Sequence, residues 1–285
     1  MWLTTIVLTV VALAVCGAGA FVYGASRWQR KTKDVRARLE AARMPVTPAT
    51  YDAREIEDLP SPVRRYFRVV LRDGQAIVGG VRLSQEGQFR QKDREDGWRA
   101  FKATQVFTTR PPGFDWDARI RMAPGMAAFV RDAYVAAEGM LHAEVLGLVT
   151  VADVHGGPTA AEGELLRYLA EATWFPTALL PSQGVRWDAM DDSAALATLT
   201  HGTTTVSLEF RFDPEGLITS FEAASRPRGE IDGVSESAPW HGRFWAYEVR
   251  DGMRIPLEGE VAWQLPAGLF PYWRGRIREI GYEFA

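Results

Sequence analysis

Cysteine is almost absent. Cys16 stands alone in 285 residues, so no intramolecular disulfide can form and a cysteine-rich zinc site is excluded. Histidine is scarce too: His142, His155, His201 and His241 are the full set, and none falls in H-E-x-x-H or another metal spacing. There is no G-x-S-x-G nucleophile turn, no Walker loop and no dinucleotide fingerprint. Neither charge is in excess. The 33 Lys/Arg against 36 Asp/Glu give −3, which offers nothing to draw a nucleic acid. No internal repeat or low-complexity stretch is visible. With 47% hydrophobic and 24% charged residues, the composition excludes wholesale disorder. No cofactor, metal site or catalytic residue is expected from these features.

One long apolar run is present. Trp2 to Tyr23 carries no charged side chain, and the first charge is Arg27. At 1.5 Å per residue such a helix spans a hydrocarbon core of about 30 Å. The competing reading is a cleaved signal peptide, but that needs a basic segment ahead of a shorter run. Leu13-Ala-Val-Cys16 is a degenerate lipobox; a cysteine inside a spanning helix is the simpler reading. Residues 27–43 hold Arg27, Arg30, Lys31, Lys33, Arg36, Arg38 and Arg43 against Asp34 and Glu40, a net charge of +5. The positive-inside rule then puts the body of a single-pass membrane protein in the cytoplasm. The same basic segment is expected against anionic headgroups. Residues 44–285 keep −8.

The chain divides into an anchor (1–26), a basic juxtamembrane helix and linker (27–60) and a β-rich domain (61–285). Pro45 and Pro48 mark the linker. Ser61-Pro62 starts a helix, with Ser61 as N-cap, whose Val63, Tyr66, Phe67 and Val70 share a face. That face packs either on the body or on a bilayer. Beyond Asp73-Gly74 the apolar period becomes two, as in Phe101, Ala103, Gln105, Phe107 and in Phe114, Trp116, Ala118, Ile120. About ten strands follow, split by one helix. Turns are marked by Asp96-Gly97, His201-Gly202, Asp213-Pro-Glu-Gly216, Asp232-Gly233 and Asp251-Gly252. Thr159-Ala-Ala-Glu162 reads as the helix's capping box, and Leu165, Leu166, Leu169 and Ala172 as its apolar stripe. The fold class is mainly β (α+β): a large curved antiparallel sheet, or half-barrel, with a helical lid over 159–180.

Polar clusters are thin. Asp153 and His155 share a strand face before Gly156-Gly157. Asp115, Asp117 and Arg119 share another and read as a salt-bridge ladder. Asp188, Asp191 and Asp192 read as a solvated turn. Aromatics say more: eight tryptophans lie in the body (Trp98, Trp116, Trp174, Trp187, Trp240, Trp245, Trp263, Trp273). On a curved sheet they either fill a core or line a cavity.

Several stretches carry a resemblance: Tyr168-Leu-Ala-Glu-Ala-Thr-Trp174-Phe-Pro-Thr-Ala-Leu-Leu-Pro181, Gly184-Val-Arg-Trp187, Val261-Ala-Trp-Gln-Leu-Pro266, Pro271-Tyr-Trp-Arg-Gly-Arg276 and Tyr282-Glu-Phe284. Over roughly residues 60–284 the chain resembles a bacterial family of membrane-anchored proteins of unknown function, which carries no activity over. Its strand–helix–strand order is similar to the lipoprotein-carrier (LolA/LppX-like) half-barrel. That resemblance implies a lipid or other hydrophobic ligand between sheet and helix, and a body outside the cytoplasmic membrane, against the charge rule. The lining expected for such a site is Trp116, Leu166, Leu169, Trp174, Phe175, Trp187 and Phe210, with Arg119 and Arg186 toward a headgroup. The alternatives are a lipid-directed hydrolase, with His142 or His155 in a pocket beside Asp153, Glu138 or Glu144, and an envelope scaffold that binds a protein.

Overall fold

A computed structural model describes residues 2–90, 97–231 and 234–285. Thirteen strands form one antiparallel sheet that curls into a half-barrel. Six precede the central helix: β1 (Val78–Arg90), β2 (Trp98–Thr109), β3 (Pro112–Ala123), β4 (Met126–Val135), β5 (Glu138–Val145) and β6 (Val149–His155). Seven follow it: β7 (Val185–Ala189), β8 (Ala194–His201), β9 (Thr204–Phe212), β10 (Ile218–Ile231), β11 (Val234–Arg250), β12 (Met253–Leu265) and β13 (Gly268–Phe284). The spatial order runs from β6 down to β1, then from β13 down to β7. Each half is therefore a meander, and the halves join where β1 pairs with β13, from Val78↔Phe284 to Phe89↔Trp273.

Three strands exceed the ten expected. The stretch 138–152 breaks in two because Leu146 (φ 54°) and Gly147 (φ 70°) turn the chain, and a bulky residue at positive φ gives no sequence signal. β7 and β8 were hidden by alanine and aspartate, which are poor strand formers. The turns at 201–202, 213–216 and 251–252 form where expected, with Gly202, Gly216 and Gly252 all at positive φ. Asp96, and both residues of Asp232-Gly233, lie outside the described residues.

In a meander successive turns alternate between two ends of the sheet. The turns β3–β4, β5–β6 and β12–β13, with the paired ends of β1 and β2 at Arg90 and Trp98, lie at one end of the strand ladder, while the curl of the sheet brings His201 of the β8–β9 turn within 3.0 Å of the Tyr134 hydroxyl beside the β4–β5 turn. At the other end the half-barrel is plugged. Helix α2 (Ser61–Val70) fills it with Val63, Tyr66, Phe67 and Val70, all at most 1% exposed. The body-packing reading of that face is the one observed. Pro60, not Ser61, occupies the N-cap, and no side chain caps the helix. Fully buried side chains of this size contribute roughly 1.5–3 kcal/mol each.

Helix α3 (Pro158–Glu171) crosses the inner face over β3–β5 and β9–β10, followed by three 3₁₀ turns up to Gln183. It enters from Gly157 (φ 82°) without a side-chain cap. Thr159 already lies inside the helix, so the expected capping box does not form. β5 comes close enough at Gly139 that a Cβ there would lie 2.2 Å from the Ala160 carbonyl oxygen.

Helix α1 (Trp2–Ala41) is one unbroken helix, about 60 Å long at 1.5 Å per residue. Its described side chains from Trp2 to Tyr23 are exposed, and Gly24 is the first buried residue. From there it lies along the outer face of β2–β4. Trp28 is fully buried there, stacked on His142 (5.7 Å, 22°) and edge-on to Phe129 (5.7 Å). Five of the seven basic residues expected at headgroups meet carboxylates instead: Arg27 and Lys31 reach Glu144 (3.3 and 2.7 Å), Arg36 reaches Asp115 (2.7 Å), Arg38 reaches Glu138 (3.4 Å) and Arg43 reaches Glu283 (2.7 Å). The +5 segment is thus matched to part of the −8 body.

Candidate ligand-binding site

Strand alternation sorts the side chains onto two faces. Register pairs Gln105 with Trp116 and Phe107 with Phe114, all facing inward. Asp115, Asp117 and Arg119 face outward, under α1. Between α3 and the strands β1, β3–β6 and β10–β13 the inner face leaves a cavity of about 610 Å³, within the range that holds small apolar ligands. Its walls include Phe89, Trp116, Trp240, Trp263, Phe270 and Trp273. Gly163, Glu164, Arg167, Ala170 and Glu171 of α3, followed by Trp174, make its floor. Gly163 leaves the floor low: a Cβ there would find only the Pro227 carbonyl oxygen, 3.9 Å away.

The floor is polar but internally matched. Arg167 donates to Asp132 (2.6 Å) and Glu171 (2.9 Å). Glu171 also accepts from Gln105 (2.7 Å), and Gln85 links Gln105 to the Trp116 indole (3.3 and 3.0 Å). Arg226 donates to the Gly163 carbonyl (3.1 Å) and lies over Trp240 and Trp263, 4.4 and 5.4 Å from the ring centres. Burial, helped by the nearby Asp132 charge, pushes the Glu164 carboxyl up to about 8. Burial likewise raises Asp132 and Glu171, against the pull of Arg167. Three buried carboxyls, Asp132, Glu164 and Glu171, thus share the floor with the guanidinium groups of Arg167 and Arg226, which hold down the rise that burial imposes. Asp132 Oδ1, Glu164 Oε2 and Trp174 Nε1 are buried without a hydrogen-bond partner among the described residues.

The expected lining is only partly here. Trp116 and Trp174 line the cavity. Leu166, Leu169, Phe175, Trp187 and Phe210 are buried in the filled part of the core instead. Phe175 packs on Phe107 (4.8 Å between ring centres), and Trp187 touches Phe67 and Phe210 (6.3 and 5.6 Å). The reason is the plug, since α2 and the 3₁₀ turns occupy that end. Arg119 lies on the outer face, 4.0 Å over the Phe129 ring and paired with Asp117, so it cannot meet a ligand in the cavity. Arg186 is exposed and pairs with Asp188 (2.9 Å). The walls come instead from the C-terminal strands, whose Trp240, Trp263 and Trp273 stood among the eight body tryptophans. Arg226 and Glu164 had no sequence signal, because their meeting depends on how α3 crosses β10.

The histidine cluster lies on the other side of the sheet. His142 bonds Asp153 (2.6 Å) and Glu144 (2.9 Å), and His155 pairs with Asp153 (2.9 Å). Lys31 of α1 closes over it, 2.7 Å from Glu144. The docked helix therefore covers His142, while His155 stands exposed on the outer face, so neither sits in the pocket that the hydrolase reading needs. Among the described residues no group of His, Cys, Asp and Glu is arranged to hold a metal ion. Asp191 accepts from the Ser193 backbone N–H (2.7 Å) and hydroxyl (2.8 Å), as in a turn.

The model of a family of unknown function (DUF6920) matches residues 57–282. The chain belongs to that family. No curated protein matches this DUF6920 chain. Among solved structures, it is similar to a LolA superfamily protein from Nitrosomonas europaea at 9% identity, covering 79% of this chain and 93% of that one with a TM-score of 0.34. A domain named for outer membrane lipoprotein sorting, from Vibrio parahaemolyticus, matches at 8% identity over 72% and 86% (TM-score 0.37). A beta-barrel-like protein of the domain of unknown function DUF1849 from Brucella abortus matches at 8% identity over 73% and 99% (TM-score 0.24).

Proposed function

We propose that this chain binds the apolar part of a lipid or similar amphiphile, and that residues 2–23 hold it in a membrane. One observation carries the reading: a cavity of about 610 Å³ walled by tryptophan and phenylalanine over a floor of matched charges. Apolar walls release water around an acyl chain or ring system, and this supplies the binding energy. Paired cations and carboxyls beneath them offer polar partners to the head of an amphiphile. The net +5 of residues 27–43 supports a body on the cytoplasmic side.

The test is binding of a fluorescent acyl probe to the full-length protein in detergent, with Gly163→Leu as the blocked form. The leucine projects into open space above the floor and replaces a helix-weakening residue, so the fold survives while the cavity fills. Saturable binding that Gly163→Leu lowers by tenfold or more, about 1.4 kcal/mol, is the expected result. Equal binding by both forms contradicts the site.

A further inference from the structure

Helix α1 leaves the body at a defined point. Gly24 packs against the β5–β6 turn so closely that a Cβ on it would lie 2.2 Å from the Leu146 carbonyl oxygen, and one on Gly147 2.4 Å from that of Gly24. Arg27 fixes the contact by donating to the Gly147 carbonyl (3.1 Å). The β3–β4 turn is next to it, since the Leu146 N–H donates to the Ala127 carbonyl (3.0 Å).

These two neighbouring turns are apolar and open. Met122 and Met126 are 43% and 45% exposed, Val149 and Val151 61% and 60%. Leu146 and Leu148 stand half-buried between them. Residues 118–130 and 145–152 contain no Asp or Glu, while Arg30 and Arg121 are exposed close by. Single exposed apolar residues are ordinary on any surface. Here they bracket the exit of a helix whose preceding 22 residues are uncharged. A span of that length covers about 33 Å, so its lower edge comes level with the turns.

We propose that the β3–β4 and β5–β6 turns form a membrane-contact surface, seated at the boundary between headgroups and acyl chains beside α1. The inference rests on residues 2–23 being a membrane anchor. Apolar tips with arginines above them and no acidic residue suit that depth. The seating has a consequence for the cavity. Phe89 and Arg90, at the end of β1, and Phe270, beside the β12–β13 turn, belong to its lining and lie at the same end of the sheet. A ligand then passes between bilayer and cavity along one end of the half-barrel.

The test uses full-length protein in vesicles of phosphatidylcholine and phosphatidylglycerol. In a Cys16→Ser background, single cysteines replace Met126, Val149 or Glu215, each labelled with an environment-sensitive fluorophore. Glu215 is exposed in the β9–β10 turn at the plugged end and serves as the control. A fourth sample carries the label on native Cys16. The expected result is several-fold stronger quenching by spin-labelled lipid at 126 and 149 than at 215. Quenching by aqueous iodide at 126 and 149 equal to that at 215, with Cys16 quenched by lipid, overturns the contact surface and leaves the anchor standing. A Cys16 label open to iodide overturns both. Melting temperatures equal to that of the parent confirm that the labelled forms are folded.

Discussion

Trp28 donates its indole N–H to Asp117 across 2.8 Å, joining a helix that begins in the apolar run to the third strand of the sheet. The same indole stacks on His142 and lies under the guanidinium groups of Arg119 and Arg131, 5.4 and 4.9 Å from them. The second half of α1 is thus part of the body rather than a flexible tether. Trp28→Ala removes a fully buried side chain, and losses of that kind cost about 3–5 kcal/mol. Thermal unfolding of the full-length protein in detergent is expected to drop by roughly 2–4 °C for each kcal/mol lost. An unchanged midpoint would mean that α1 does not dock.

Beneath α1, Asp115 is fully buried between Arg131 (2.8 Å) and Arg36 (2.7 Å). Its pKa is raised because burial outweighs the two cations. Arg131→Met leaves that carboxyl with one partly exposed partner, and breaking a buried pair costs about 3–5 kcal/mol. Adding Asp115→Leu is expected to recover part of the loss. A double variant less stable than the single one would show that Arg36 alone holds the carboxylate favourably.

Two glycines bordering α3 are expected to respond in opposite directions. Gly163→Ala places a methyl in open space within a helix, gaining about 1 kcal/mol from propensity. Gly139→Ala drives a Cβ to 2.2 Å from the Ala160 carbonyl oxygen, and overpacking of this sort costs about 1–3 kcal/mol. Denaturant midpoints of the two variants check both signs.

Glu164 predicts a pH dependence. Its folded pKa, about 8, lies above the ordinary 4.5, so between those values the folded state holds a proton that the unfolded chain has lost. Its contribution to stability is therefore full below pH 4.5 and falls as pH rises toward 8. Asp132, Glu171, Arg167 and Arg226 face the same group and shift the window without reversing its sign. Glu164→Gln removes the proton exchange. The stability of the wild type relative to this variant is expected to decline from pH 5 to pH 8, read from urea unfolding at each pH. A constant difference would place the carboxyl in contact with water.

The sheet was legible because one of its faces is buried, and alternation such as Phe101, Ala103, Gln105, Phe107 records that directly. The α2 face was legible for the same reason, at helical spacing. The Leu146-Gly147 turn was not, since nothing marks a leucine at positive φ. The cavity was half legible: of the aromatic residues that the sequence put forward, Trp116 and Trp174 line it. The choice between filled core and cavity depended on where α2 and the 3₁₀ turns plug the half-barrel. That packing put Trp187 and Phe210 in the core and left Trp240 and Trp263 as walls. Arg119 was misplaced against the alternation itself, since it stands an odd number of residues from Trp116 and so faces the other side of β3.

The cavity is the centre of the account, and its contents are the most direct measurement. Full-length protein, purified in mild detergent, would be examined by native mass spectrometry, followed by solvent extraction of whatever comes with it. The account predicts an apolar or amphiphilic adduct near one per chain in the wild type and its loss in Gly163→Leu, with both forms equally folded. A wild type that carries nothing and takes up no added lipid, or an adduct that persists unchanged in Gly163→Leu, would contradict it.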